Sequence, residues 1–157
     1  MNPPLKALIL VKAAISLKVL EKALPCCDFH FMFQKLATTL QVIHVAGVEC
    51  DFQRALKHQT LANLREISYT DTRDSLIANS LDAIAISCPN LTKVDFSGCS
   101  ALKQVDLKLL LEKCDKISEV SLMRINDLDD ELFTRLSESM KKDALKTLRI
   151  GGKTLQY

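Results

Sequence analysis

The chain has 157 residues, room for one globular domain and hardly for two. Its 48% hydrophobic and 25% charged composition excludes a disordered polymer. With 21 basic and 19 acidic residues the net charge is +2, so the balance carries no electrostatic footprint for nucleic acid or an anionic membrane.

The first apolar stretch, Ala7 to Val11, is five residues long between Lys6 and Lys12. A secretory signal core needs roughly 7–15 apolar residues and a membrane span about 20, so neither is expected. The six cysteines are therefore expected to be reduced, in a cytoplasmic protein that does not enter a membrane. A mitochondrial presequence is the alternative, because Lys6, Lys12 and Lys18 precede the first acid, Glu21. The same stretch lacks Arg and has Ser16 as its one Ser, which counts against it.

Leu5-Lys6-Ala7-Leu8-Ile9-Leu10 opens a pattern of apolar, two variable, apolar, one variable, apolar. Its alternation predicts a short half-buried strand. Helical spacing follows over Ile15 to Leu24 and again through Phe29, Phe33 and Leu36. The strand pattern returns as Leu40-Gln41-Val42-Ile43-His44-Val45 and Leu64-Arg65-Glu66-Ile67-Ser68-Tyr69. A helix is predicted through Leu76, Ile77, Leu81, Ile84 and Ala85, capped by Asp74 or Ser75. Next come the strand Leu91-Thr92-Lys93-Val94-Asp95-Phe96 and a helix with Val105, Leu109 and Leu110 on its inner stripe. Ile117-Ser118-Glu119-Val120-Ser121-Leu122 precedes a helix through Leu132, Phe133, Leu136 and Met140, capped by Asp127 or Asp129. The last copy is Leu145-Lys146-Thr147-Leu148-Arg149-Ile150.

The strands thus start near 5, 40, 64, 91, 117 and 145, and after the long first interval the spacings are 24, 27, 26 and 28. A repeated strand–turn–helix–turn unit cannot bury both its faces alone, but stacked units can. The expectation is a single domain over residues 1–157, α/β in class. It is a right-handed solenoid or horseshoe arc with parallel strands on the concave side and helices on the convex side. The run Cys88-Pro89-Asn90-Leu91-Thr92-Lys93-Val94-Asp95-Phe96-Ser97-Gly98-Cys99, with Cys114 at the next helix end, resembles leucine-rich repeats. The resemblance is to the cysteine-containing subclass found in F-box/leucine-rich-repeat proteins. It covers most of residues 40–150. Cys99 holds the Asn/Cys place after the strand, where the other copies carry Ala13, Val48, Thr72, Ile125 and Lys153. The turns at Val48 and Ile125 are accordingly expected to be irregular. No F-box is seen, since the repeats start by Leu5.

In such a solenoid the variable strand positions face the concavity. The middle row would be Ile9, His44, Ser68, Asp95, Ser121 and Arg149. The row before it holds Ala7, Val42, Glu66, Lys93, Glu119 and Thr147, and the row after it Val11, Ala46, Thr70, Ser97, Met123 and Gly151. The candidate partner-binding residues are His44, Glu66, Ser68, Thr70, Lys93, Asp95, Ser97, Glu119, Ser121, Met123 and Arg149. Three acids among hydroxyls suit a basic or hydroxyl-rich protein segment, and a solvated strand face is the plainer reading. The apolar strand Leu5 to Val11 is expected to be covered by a partner, a second copy or a missing domain.

Other chemistry finds little footing. Gly151-Gly152-Lys153-Thr154 resembles a phosphate-binding loop, but Thr147 stands where the first glycine is needed. Cys26 and Cys27 with His30 could begin a metal site, yet adjacent cysteines suit one tetrahedral ion poorly and no second pair follows. No catalytic, cofactor or metal residue is assigned, and no enzyme activity is expected. The expected function is a protein-interaction module, as a substrate-recognition or adaptor component of an F-box-like ubiquitin ligase system. The alternatives are a stoichiometric enzyme inhibitor or effector, and a structural subunit of a larger assembly.

Overall fold

A computed structural model describes residues 7–11, 27–47, 51–71, 77–125, 130, 132, 134 and 145–151. Strands β1 (Ala7–Val11), β2 (Val42–Ala46), β3 (Glu66–Thr70), β4 (Lys93–Asp95), β5 (Glu119–Met123) and β6 (Thr147–Gly151) form one sheet. Every neighbouring pair is parallel, and the spatial order of the strands is their order in the chain. Among the described residues the helices are α1 (Cys27–Leu36), α2 (Phe52–Ala55), α3 (Ile77–Ser87) and α4 (Gln104–Lys113). The protein is therefore α/β with a parallel sheet, and each crossover between parallel strands has the length such a connection requires. Asp130, Leu132 and Thr134 are also helical. The helix expected over Ile15 to Leu24, the caps Asp74, Ser75, Asp127 and Asp129, and the helix positions Leu76, Phe133, Leu136 and Met140 lie outside the described residues.

The core lies between the sheet and the helices. Ile43, Ile67, Val94 and Val120 stand in register and are buried, and Val45, Tyr69, Phe96 and Leu122, two positions on along the chain, are buried as well. Helix α3 closes on these rows with Leu81, Ile84 and Ala85, and α4 with Leu107, Leu110 and Leu111. The inner stripe of α4 differs from expectation: Leu110 is buried, but Val105 is 63% exposed and Leu109 36%. This helix carries two apolar stripes. Leu107, Leu110, Leu111 and Cys114, at i, i+3, i+4 and i+7, form the one that turns inward.

Helix α2 occupies an interval where the apolar periodicity marks none. It is a single turn, capped where Asp51 Oδ1 accepts the Arg54 N–H at 2.9 Å. Its Phe52 stacks on Phe33 of α1 at 6.2 Å and meets Tyr69 of β3 edge-on at 5.4 Å, so one ring ties three elements together.

Two backbone ladders fix the stacking. At strand entry the Gln41 carbonyl accepts the N–H groups of Arg65 and Glu66, and Arg65 those of Thr92 and Lys93. Thr92 does the same for Ser118 and Glu119, and Ser118 for Lys146 and Thr147. At strand exit a residue with positive φ donates to the next unit: Gly47 (φ 64°) to Thr70, Asp71 (55°) to Ser97, Gly98 (73°) to Met123 and Arg124 (58°) to Gly151. Strand β4 is shorter than its neighbours because the Asp95 carboxylate accepts the Ser97 N–H at 2.9 Å and bends the chain into a turn. At the start of the turn the Phe96 N–H still reaches Ser121 O at 3.0 Å.

Candidate functional site: the strand face

Side chains alternate across a strand, so the positions between the buried rows share the opposite face of the sheet. The register places Ile9, His44, Ser68, Asp95, Ser121 and Arg149 in one row. Ala7, Val42, Glu66, Lys93, Glu119 and Thr147 form the row before it. In the third row Val11 pairs with Ala46 and Ala46 with Thr70, and Met123 pairs with Gly151. Ser97 departs from this row because it lies in the turn after β4.

The centre of the face is an ion cluster. Glu66 Oε1 lies 2.9 Å from Lys93 Nζ and 2.9 Å from His44 Nε2, bridging β2, β3 and β4. Partial burial pushes the Glu66 carboxyl up, but the hydrogen bonds from Lys93 and His44 and their charges outweigh it and hold it below the usual glutamate range. Glu66 is therefore compensated inside the protein. Asp95 gives one oxygen to the Ser97 N–H. Among the described residues no ion pair reaches Glu119. The negative charge that this face offers outward thus sits on Glu119 and Asp95.

The hydroxyls divide in the same way. Ser97 and Ser121 are each only 6% exposed, and their Oγ atoms lie 3.0 Å apart. Ser97 Oγ also accepts the Met123 N–H at 3.1 Å. These two serines pin the β4 turn to β5 rather than standing open to a partner. Ser68, Thr70 and Met123 are half-buried and Arg149 is exposed.

Beside the third row lies a feature the sequence patterning missed. Asp71 Oδ1 and Arg124 Nη2 pair at 2.6 Å, although 53 residues separate them in the chain. Both take a left-handed backbone and flank Gly98 in the strand-exit ladder. A Cβ on Gly98 would stand 2.5 Å from Asp71 Oδ1, so the glycine clears the path of the ion pair. The signal was present in the spacing: Gly47, Asp71, Gly98 and Arg124 recur at 24, 27 and 26, the repeat's own intervals.

The remaining candidates have structural surroundings. Cys88 and Cys114 are buried in successive units, and Cys114 Sγ points at the Cys88 carbonyl at 3.7 Å. Cys99 Sγ donates to the Tyr69 carbonyl at 2.9 Å, which satisfies a backbone group of the neighbouring unit. Ile125, at the equivalent turn position, is buried, while Val48 lies outside the described residues. His30 Nδ1 lies 3.0 Å from Gln59 Nε2 and 3.2 Å from the Ala55 carbonyl, joining α1 to α2. Cys26 and the triplet Gly152-Lys153-Thr154 lie outside the described residues. Among the described residues no group of three His, Cys, Asp or Glu is placed to hold a metal ion, and no helix is long and apolar enough to cross a membrane. No protein-family model matches the chain, and no curated protein matches it.

Proposed function

We propose that this chain is a leucine-rich-repeat solenoid that binds a protein partner across its strand face. The solenoid is taken as right-handed, with the strands on its concave side and the helices on its convex side. One observation carries the reading: strands stacked in chain order place variable residues in two rows that run across all six strands. Such rows form a continuous surface built from many units, the kind that repeat proteins use for recognition. The partner segment is basic or hydroxyl-rich. A basic side chain meets Asp95 and Glu119, while Ser68 and Thr70 supply hydrogen bonds nearby. Lys93 and His44 hold Glu66 in place and so shape the floor of the site.

The resemblance of the Cys88–Cys99 run favours an adaptor or substrate-recognition role in an F-box-like ligase system. An enzyme inhibitor or effector would use the same surface. The test is affinity capture from a native lysate with the parent chain and with Glu119→Arg, which breaks none of the ion pairs among the described residues. Glu66→Arg is unsuitable because it would break the internal cluster. A partner held by the parent and lost by the variant, at equal thermal stability, supports the strand face. A partner held equally by both, and also by Asp95→Asn, refutes it.

A further inference from the structure

Strand β6 ends the sheet among the described residues. In the units before it, the carbonyl at strand entry takes two N–H groups from the next strand, at 2.7–3.1 Å from Gln41, Arg65, Thr92 and Ser118. Lys146 is the next member of this series, and no described strand donates to its carbonyl. The Phe96 N–H crosses to Ser121 on the following strand. Ile150 is the corresponding residue of β6, and no described strand lies beyond it.

The apolar rows stop at the same edge. Leu148 is 39% exposed, whereas its register partners Val120, Val94, Ile67 and Ile43 are each at most 1%. Ile150 is half-buried where Leu122 is fully buried. The edge strand and its entry carry charge of one sign: Arg149 and Lys146 are exposed, and no carboxylate pairs with either among the described residues.

We propose that the β6 edge receives an extended segment of a partner protein as a seventh parallel strand, apolar at alternate positions and acidic opposite Arg149. The entry carbonyl of Lys146 would take the segment's first two N–H groups, as Ser118 takes those of Lys146 and Thr147. Alternate apolar residues would extend the rows that now end at Leu148 and Ile150. An acid in the row of Arg149 supplies a countercharge. A second copy fits less well. Its β1 would bring Ile9 into the row of Arg149, and its β6 would bring like charge against like. The edge adjoins the strand face, whose middle row ends at Arg149, but strand pairing there does not depend on the reading given above.

The test uses the whole chain and fluorescein-labelled synthetic peptides that alternate valine and threonine between Gly-Ser ends. One peptide carries glutamate in place of the central threonine and another carries lysine there. A third is the glutamate peptide with N-methylated threonines, whose N–H groups would face β6 as that of Thr147 faces Ser118, so the groups needed for pairing are removed. Fluorescence anisotropy should show the glutamate peptide binding roughly fivefold tighter than the lysine one, the size of exchanging an exposed attractive pair for a repulsive one. The N-methylated peptide should not bind. Arg149→Glu should reverse the charge preference with unchanged melting, and Arg149→Gln should abolish it. Hydrogen exchange at the Ile150 amide should slow when the glutamate peptide is added. Failure of every peptide to bind, or equal binding of both charges, overturns the proposal. So does an Ile150 amide already as protected as that of Phe96, which would mean that the chain itself or a second copy covers the edge.

Discussion

Replacing Gly98 by alanine probes how the units are locked at strand exit. Gly98 has φ +73°, a conformation that costs an L-residue roughly 1–2 kcal/mol. The added Cβ would stand 2.5 Å from Asp71 Oδ1 and 3.2 Å from the Asp71 backbone N and Cα, so the carboxylate must move. Moving it breaks the pair with Arg124. Both side chains are more than half exposed, so solvent screening keeps that loss at about 0–1 kcal/mol. Alanine also stiffens the unfolded chain, which returns about 0.5 kcal/mol. The net expectation is a loss of about 2 kcal/mol, read as a lower urea midpoint at constant slope by far-UV circular dichroism. Asp71→Gly separates the contributions. It gives up the ion pair but relieves a left-handed non-glycine residue, so alone it should fall within about 0.5 kcal/mol of the parent. In that background Gly98→Ala meets no carboxylate and should cost about 1 kcal/mol, leaving a coupling of similar size. An equal cost in both backgrounds would refute the contact between Asp71 and position 98, and a neutral Gly98→Ala would refute the left-handed turn itself.

Phe52→Ala removes the ring that joins α1, α2 and β3, and should cost about 3–5 kcal/mol in the same assay. A loss under about 1 kcal/mol would mean that α2 does not pack there. Glu66→Gln should lower the melting temperature near neutral pH and the difference should shrink on acidification. The sign follows from a folded-state pKa held below the unfolded one: the ionised form stabilises the fold above roughly pH 4.3, the free glutamate value. That contribution is lost as pH falls through the lower native value, so a difference constant down to acid pH would contradict the bridge to Lys93 and His44. Burial, and secondarily Asp115, push the Cys114 thiol up to about 11, while burial and Cys114 raise Cys88 further. Peptide mapping after iodoacetamide should find both unmodified in the native protein at neutral pH and modified in urea. Rapid native labelling of either would show that the column of thiols is open to solvent.

The strands were legible because their signal is local. Leu64-Arg65-Glu66-Ile67-Ser68-Tyr69 alternates at the period of a pleated strand, and its register with Leu91-Thr92-Lys93-Val94-Asp95-Phe96 follows from equivalent positions in two copies. The inward faces of α3 were legible for the same reason, with Leu81, Ile84 and Ala85 on one stripe. Helix α4 was not, because Val105 and Leu109 make a second stripe of comparable polarity and only packing against the sheet chooses between them. Helix α2 is a single turn, too short to show a period, and exists through the Asp51 cap and the stacking of Phe52.

The site divides along the same line. Repeat length and the two-residue alternation of a strand were enough to assign two of the three rows of the strand face, while the third fails at Ser97, where a turn ends β4. Tertiary structure alone decided what each member does there. Glu66 loses its standing as a free acid because Lys93 and His44 arrive from neighbouring strands within 2.9 Å. Ser97 and Ser121 are closed to solvent because the Asp95 turn brings their hydroxyls together. Asp71 finds Arg124 because an intervening glycine leaves the space for it. Burial, pairing and clearance are set by atoms from two or three units at once, and no single stretch of chain contains them.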